Sequence, residues 1–223
     1  MTHSRRVHIH RNMRYFFQLL LLALGIAALA IVLVRVVPAH FNRAAEAPFL
    51  AKNDAAMAKM MAGMKIKPSS DVDRDFVAMM VPHHQGAIDM AQAELSYGHN
   101  ERLHRIAQEI IVTQQEDIAT MRLALVNASP THFNRAEEAP FLAKNDAAMA
   151  KMMAGMKIKP SNDVDKDFVA MMVPHHQGAI DMAQAELSYG HNTLLLPTAQ
   201  EIIVTQQQEI AAMRLALGEP SGN

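Results

Sequence analysis

The segment Met-Met-Val-Pro-His-His-Gln-Gly-Ala-Ile-Asp-Met occurs twice, at Met79–Met90 and at Met171–Met182. Each copy sets two thioethers and two imidazoles three and four residues apart. At that spacing helical side chains are neighbours, with Cβ atoms about 5–6 Å apart. Met79, Met80, His83 and His84 can therefore converge on one small object, as can Met171, Met172, His175 and His176. At about 100° per residue, Met90 and Met182 share the narrow face of Met79 and His83, or of Met171 and His175. Soft sulfur with imidazole suits copper, Cu(I) above all, better than magnesium, calcium or manganese, which prefer oxygen.

Composition narrows the donors further. The chain has 223 residues, 18 Met, no Cys and no Trp. Disulfides, thiolate zinc sites, iron–sulfur clusters and cysteine nucleophiles are excluded, so a soft ligand here must be Met or His. The formal charge of −1 hides an asymmetry, because residues 1–35 hold five Arg and no acid. The remainder sets 16 of the 21 basic residues against all 22 acidic ones. A mildly acidic body has no electrostatic footprint for nucleic acid.

Something must place that body. Tyr15 to Val34 is an apolar run interrupted only by Gln18 and bounded by Arg14 and Arg35. Its 20 residues at about 1.5 Å rise match the roughly 30 Å hydrocarbon core of a bilayer. Residues 1–14 then form a basic cytoplasmic tail and residues 15–37 a transmembrane anchor, by the positive-inside rule. A cleavable signal peptide is the competing reading, with Val37-Pro38-Ala39 as its cleavage site, but the run exceeds the usual apolar region of about 7–15 residues. Both readings put the body outside the cytoplasm: a single-pass protein of the inner membrane facing the periplasm.

The body is a duplication. His40–Gly98 and His132–Gly190 align at a constant offset, differing at Ala45/Glu137, Ser70/Asn162 and Arg74/Lys166. The match runs on to about Leu125 and Leu217, apart from a patch where Glu101–Ile106 becomes Thr193–Thr198. Repeat 1 therefore spans 40–126 and repeat 2 spans 132–218, joined by a turn-forming linker at 127–131, with a short tail at 219–223. Each repeat predicts three helices and no strand, so the expected class is all-α. The first helix should start near Pro48, a good first-turn residue. The second should start near Asp71 behind a Ser70 or Asn162 cap and end at Gly98 or Gly190 in a left-handed cap. Pro82 should kink or restart it, and Pro197 should delay the third helix of repeat 2.

Further methionines are candidates of a second rank. Met57, Met60, Met61 and Met64 lie within an arc of about 100° on the first helix, as do Met149, Met152, Met153 and Met156. Met fills irregular gaps well, so this stripe reads first as a packed core, which is compatible with a copper site wherever two or three sulfurs meet. Met121 and Met213, on the third helices, join this group. Asp89 points away from the Met79 face and reads as a cap, pair or support. His99 and His191 read as loop residues, and His3, His8 and His10 as incidental.

The motif Met-Met-Val-Pro-His-His-Gln-Gly-Ala-Ile-Asp-Met-Ala, followed by Ala-Gln-Glu-Ile-Ile and then Gln-Gln, Ile-Ala and Met-Arg, resembles the family called domain of unknown function 305. The resemblance covers roughly 48–126 and 140–218. It implies a ferritin-like helical bundle in an exported, largely bacterial group, some of whose members bind periplasmic copper through Met and His. By position it points to Met79, Met80, His83, His84 and Met90, and to Met171, Met172, His175, His176 and Met182. The Pro197 patch departs from the pattern at the start of the third helix.

Three functions compete. The first is a membrane-tethered protein that buffers or transfers copper, alone, as a homo-oligomer, or with a copper-handling partner protein. Its affinity should fall as pH drops through the imidazole range, near 6.5 when unperturbed. The second is a structural or interaction bundle with a Met-rich core and no metal. The third is a di-iron oxidase, which needs Glu from two helices and two Glu-x-x-His motifs. Glu101-x-x-His104 is the one match, and its counterpart is Thr193…Leu196.

Overall fold

The computed structural model describes residues 45–126 and 135–219. Six helices account for them: α1 (45–63), α2 (Val72–Tyr97), α3 (Glu101–Val126), α4 (Arg135–Gly155), α5 (Val164–Tyr189) and α6 (Leu195–Ala216). There is no strand among the described residues, and each repeat supplies three helices, as its periodicity predicts. The basic tail, the anchor at 15–37 and the linker at 127–131 lie outside the described residues. Within them, no helix is long and apolar enough to cross a membrane.

Helices α2 and α5 form the centre and pack on each other. Helix α3 lies against α2 and α6 against α5, while α3 and α6 also meet. Helix α4 packs on α5. On the other side α1 reaches α2, where the Gly63 backbone lies against the Pro82 ring and Lys59 pairs with Asp89 at 2.8 Å. The central helices are buried over most of their surface. Phe76, Met80, Ala87 and Ala91, with Phe168, Met172, Ala179 and Ala183 in the other repeat, are fully buried. Such a helix is stable only between neighbours.

The repeats interlock rather than stand apart. Asp165 Oδ1, at the start of α5, accepts the N–H groups of His99 and Asn100 at 2.9 and 3.0 Å. Asp73 Oδ1 does the same for His191 and Asn192, both at 2.9 Å. Ser70 and Asn162 adopt left-handed φ of 65° and 62°. Their N–H groups donate to Glu138 and Glu46 of the opposite repeat.

Several local expectations are revised. The caps of α2 and α5 are Asp71 and Asp163, which accept from Arg74 N–H and Lys166 N–H; Ser70 and Asn162 supply the preceding turn instead. Helix α1 already runs at residue 45, so Pro48 is not at its start, and Pro140 lies inside α4. Helix α2 continues through Pro82 without a restart, the lost hydrogen bond being outweighed by packing on both sides. Gly98 and Gly190 have ordinary negative φ of −71° and −77°, not the left-handed cap. They are glycines because a Cβ there would sit 2.2 or 2.3 Å from a carboxyl oxygen of Glu94 or Glu186. Pro197 does delay α6, which starts at Leu195, whereas α3 starts at Glu101, the counterpart of Thr193.

Candidate metal centre

His83, His84, His175 and His176 are all 0% exposed. Adjacent residues on a helix point about 100° apart, so each pair divides its attention between two neighbours. His83 turns across the repeat boundary, its Nε2 lying 3.2 Å from Sδ of Met152 on α4. His175 does the reverse, with Nε2 3.3 Å from Sδ of Met60 on α1. The His83 and His175 rings meet in the middle, with centroids 4.0 Å apart and planes tilted by 48°. Two imidazole–thioether pairs thus sit side by side where α2 crosses α5, and each is built from both repeats.

Gly86 and Gly178 make this approach possible. A Cβ at Gly86 would lie 2.9 Å from Met60 Sδ, and one at Gly178 would lie 2.9 Å from Met152 Sδ. The bare patch of the His-His-Gln-Gly sequence is therefore the seat of a thioether. Any side chain there would push the sulfur off its imidazole.

His84 and His176 turn instead to the third helix of their own repeat. His84 Nε2 is 3.1 Å from Asp117 Oδ2, and His176 Nε2 is 2.7 Å from Glu209 Oε2. Neither acid stands out in the sequence reading, which extends the repeat match past them. The signal was there: Asp and Glu occupy equivalent positions of α3 and α6, keeping the charge and changing the length.

Electrostatics separate the two kinds of imidazole. Burial holds the His83 and His175 pKa well below the ordinary value, and the charges of neighbouring imidazoles reinforce it. Both rings are therefore neutral and keep a lone pair at mildly acid pH, which a metal ligand requires. The Nδ1 atoms of all four imidazoles are buried without a hydrogen-bond partner. Such orphaned polar atoms call for an explanation.

The remaining candidates sort by burial. Met79, Met80, Met90, Met171, Met172 and Met182 are buried in the core around the central helices. Met64, Met121, Met156 and Met213 are buried too, while Met57, Met61, Met149 and Met153 are only partly covered. The thioethers in contact with imidazole are Met60 and Met152, from the stripe that reads first as packed core. Asp89 accepts from Gln85 at 2.8 Å besides pairing with Lys59. His99 is exposed, and His191 pairs with Glu137 at 2.6 Å. No three His, Asp or Glu side chains among the described residues converge to hold a metal. A surface cavity of about 410 Å³ is lined by Val173 and Pro174 but by none of the four imidazoles.

A model of the family described as Domain of unknown function (DUF305) matches residues 37–125 and again residues 127–217. Two solved structures are similar. One is a DUF305 fragment from Deinococcus radiodurans, at 27% identity, with a TM-score of 0.49, covering 68% of this chain and 99% of that one. The other is CopM in a silver-bound form obtained by soaking, at 27% identity and a TM-score of 0.47, covering 64% of this chain and 92% of that one. No curated protein matches the chain.

Proposed function

The chain belongs to the DUF305 family, in two tandem copies, and from that premise we propose that it binds copper as Cu(I) through Met and His at the crossing of α2 and α5. The observation that carries the reading is the pair of imidazole–thioether contacts, 3.2 and 3.3 Å long, made across the repeat boundary. Bonds of about 2.0 and 2.3 Å, the zinc–nitrogen and zinc–sulfur lengths, set two ligands of one tetrahedral ion about 3.5 Å apart, close to these contacts. Thioether and neutral imidazole are the donors that select soft Cu(I). His83 with Met152, and His175 with Met60, would hold the ion. The buried sulfurs of Met79, Met80 and Met90, with Met171, Met172 and Met182, supply further soft donors nearby. Because each pair draws on both repeats, the duplication is a requirement of the site and not a doubling of it.

The run of apolar residues from Tyr15 to Val34 supports a membrane tether, with this body on the periplasmic side. There it would buffer copper or pass it to a partner. Titration with a competing Cu(I) probe tests the central claim. Wild-type protein should bind far more tightly than a variant with Ala at His83, His84, His175 and His176. Equal affinity removes the proposal. The burial of 12 of the 16 Met among the described residues favours one other reading, a bundle that merely packs thioethers. That reading predicts a thermal midpoint unchanged by added Cu(I), whereas an ion bound to the fold raises it.

A further inference from the structure

We infer that Asp117 and Glu209 are positioning residues, which fix the proton on Nε2 of His84 and His176 and so turn Nδ1 of each ring toward a metal ion. This rests on the metal reading above and assigns a role to two acids that the motif does not contain.

A carboxylate can only accept a hydrogen bond, so the nitrogen facing it must carry the proton. In both repeats that nitrogen is Nε2, 3.1 Å from Asp117 and 2.7 Å from Glu209. A neutral imidazole protonated on Nε2 leaves Nδ1 as its lone pair. In both rings Nδ1 is buried and touches no hydrogen-bond donor. A donor-free lone pair, on a ring held from behind by an acid, is how metal-ligating histidines are commonly oriented. The inner rings lack this support, since His83 and His175 direct Nε2 at sulfur. One helix turn before each acid, the Gln114 and Gln206 amides are also buried without partners. In each repeat the outer ring and the third-helix amide thus leave polar atoms unmet, while the acid between them is engaged by the ring.

The two acids do not act equally. The Glu209 side chain is 5% exposed and that of Asp117 is 18% exposed. Glu209 Oε1 lies 3.4 Å from Thr113 Oγ1, across the repeat boundary, but that hydroxyl has a shorter bond of 3.0 Å to Glu109 O. The longer acid is drier and makes the shorter contact, 2.7 against 3.1 Å, so His176 is the more firmly oriented ring.

Long-range proton–nitrogen correlation spectra of the ¹⁵N-labelled full chain, before and after addition of silver ions alone, test this directly. His84 and His176 should carry the proton on Nε2 without metal, and silver should shift Nδ1. Asp117→Asn and Glu209→Gln keep the volume and remove the charge, and each should weaken silver binding about 10–100-fold. Asp117→Glu and Glu209→Asp should restore affinity to within a few-fold, a rescue that loss of packing alone would not give. A proton on Nδ1 or on both nitrogens, a silver shift at Nε2, or unchanged affinity in the Asn and Gln variants overturns the positioning role. The spectra of wild-type protein decide even where a variant fails to fold. Wild-type protein that takes up no silver overturns the metal reading itself, and with it the ligand role of Nδ1.

Discussion

His83 and His84 are neighbours in the chain, equally buried, yet they belong to different environments. His83 faces a thioether of the other repeat and is held neutral by burial. His84 faces a carboxylate of its own repeat. The same division holds for His175 and His176. One step of about 100° around the helix is enough to aim one ring across the repeat boundary and the next along its own repeat. An adjacent pair of identical residues is therefore two devices. The inner one is an imidazole–thioether pair shared between repeats; the outer one is an imidazole paired with an acid.

The largest break should come from removing the inner rings. His83→Ala with His175→Ala should lower Cu(I) affinity by more than the roughly 10–100-fold that an orienting group is worth. His99→Ala with His191→Ala, away from the centre, should leave it unchanged in the same competition titration. Replacing the thioethers sharpens the contrast. Met60→Leu with Met152→Leu nearly conserves volume and should cost less than about 1.5 kcal/mol each in denaturant unfolding. Yet it should reduce affinity at least tenfold. Met57→Leu with Met149→Leu, on the partly covered side of the same stripe, should not.

Gly86→Ala attacks the inner device without touching a donor. Its new Cβ would lie 2.9 Å from the Met60 sulfur, and overpacking of this kind costs about 1–3 kcal/mol. Unfolding should reveal that loss, and affinity should fall because the sulfur moves off His175.

The smallest effect concerns a seam away from the imidazoles. Burial first, and then Asp165 of the other repeat, raises the Glu94 pKa to about 9; burial and Asp73 raise Glu186 to about 10. Each carboxyl is neutral in the fold where the unfolded one, near 4.5, is ionised. The folded state thus holds protons that the unfolded chain gives up. This stabilising contribution is complete below about pH 4.5 and is lost progressively as pH rises toward the folded values. Wild-type thermal midpoints should therefore decline between about pH 6 and 9. Glu94→Gln with Glu186→Gln should flatten the decline and be the more stable protein at the alkaline end. Copper affinity should not respond.

Much of this was legible in the residues. Periodicity placed three helices per repeat, Pro197 predicted the late start of α6, and the twice-written Met-Met…His-His segment marked the stretch that became the molecular centre. Local signals carry such information because helix propensity, proline and spacing act within a few residues. Partner choice does not. His83 meets Met152 and His175 meets Met60 only because two copies fold face to face, and neither contact has a signature within one repeat. Gly98 looked like a left-handed cap because its use as a space for the Glu94 carboxyl depends on a side chain one turn back being driven inward.

Sequence alone determined the donors available, since a chain without Cys and with 18 Met can offer a soft ion only sulfur of one kind and imidazole. It also determined the repeat, the helices and the stripe each helix had to bury. Tertiary structure decided which nitrogen meets sulfur, which meets an acid, and that the imidazole–thioether pairs are shared between repeats. Those outcomes depend on distances of about 3 Å between residues far apart in the chain, as Met60 and His175 are, and only packing brings such residues together.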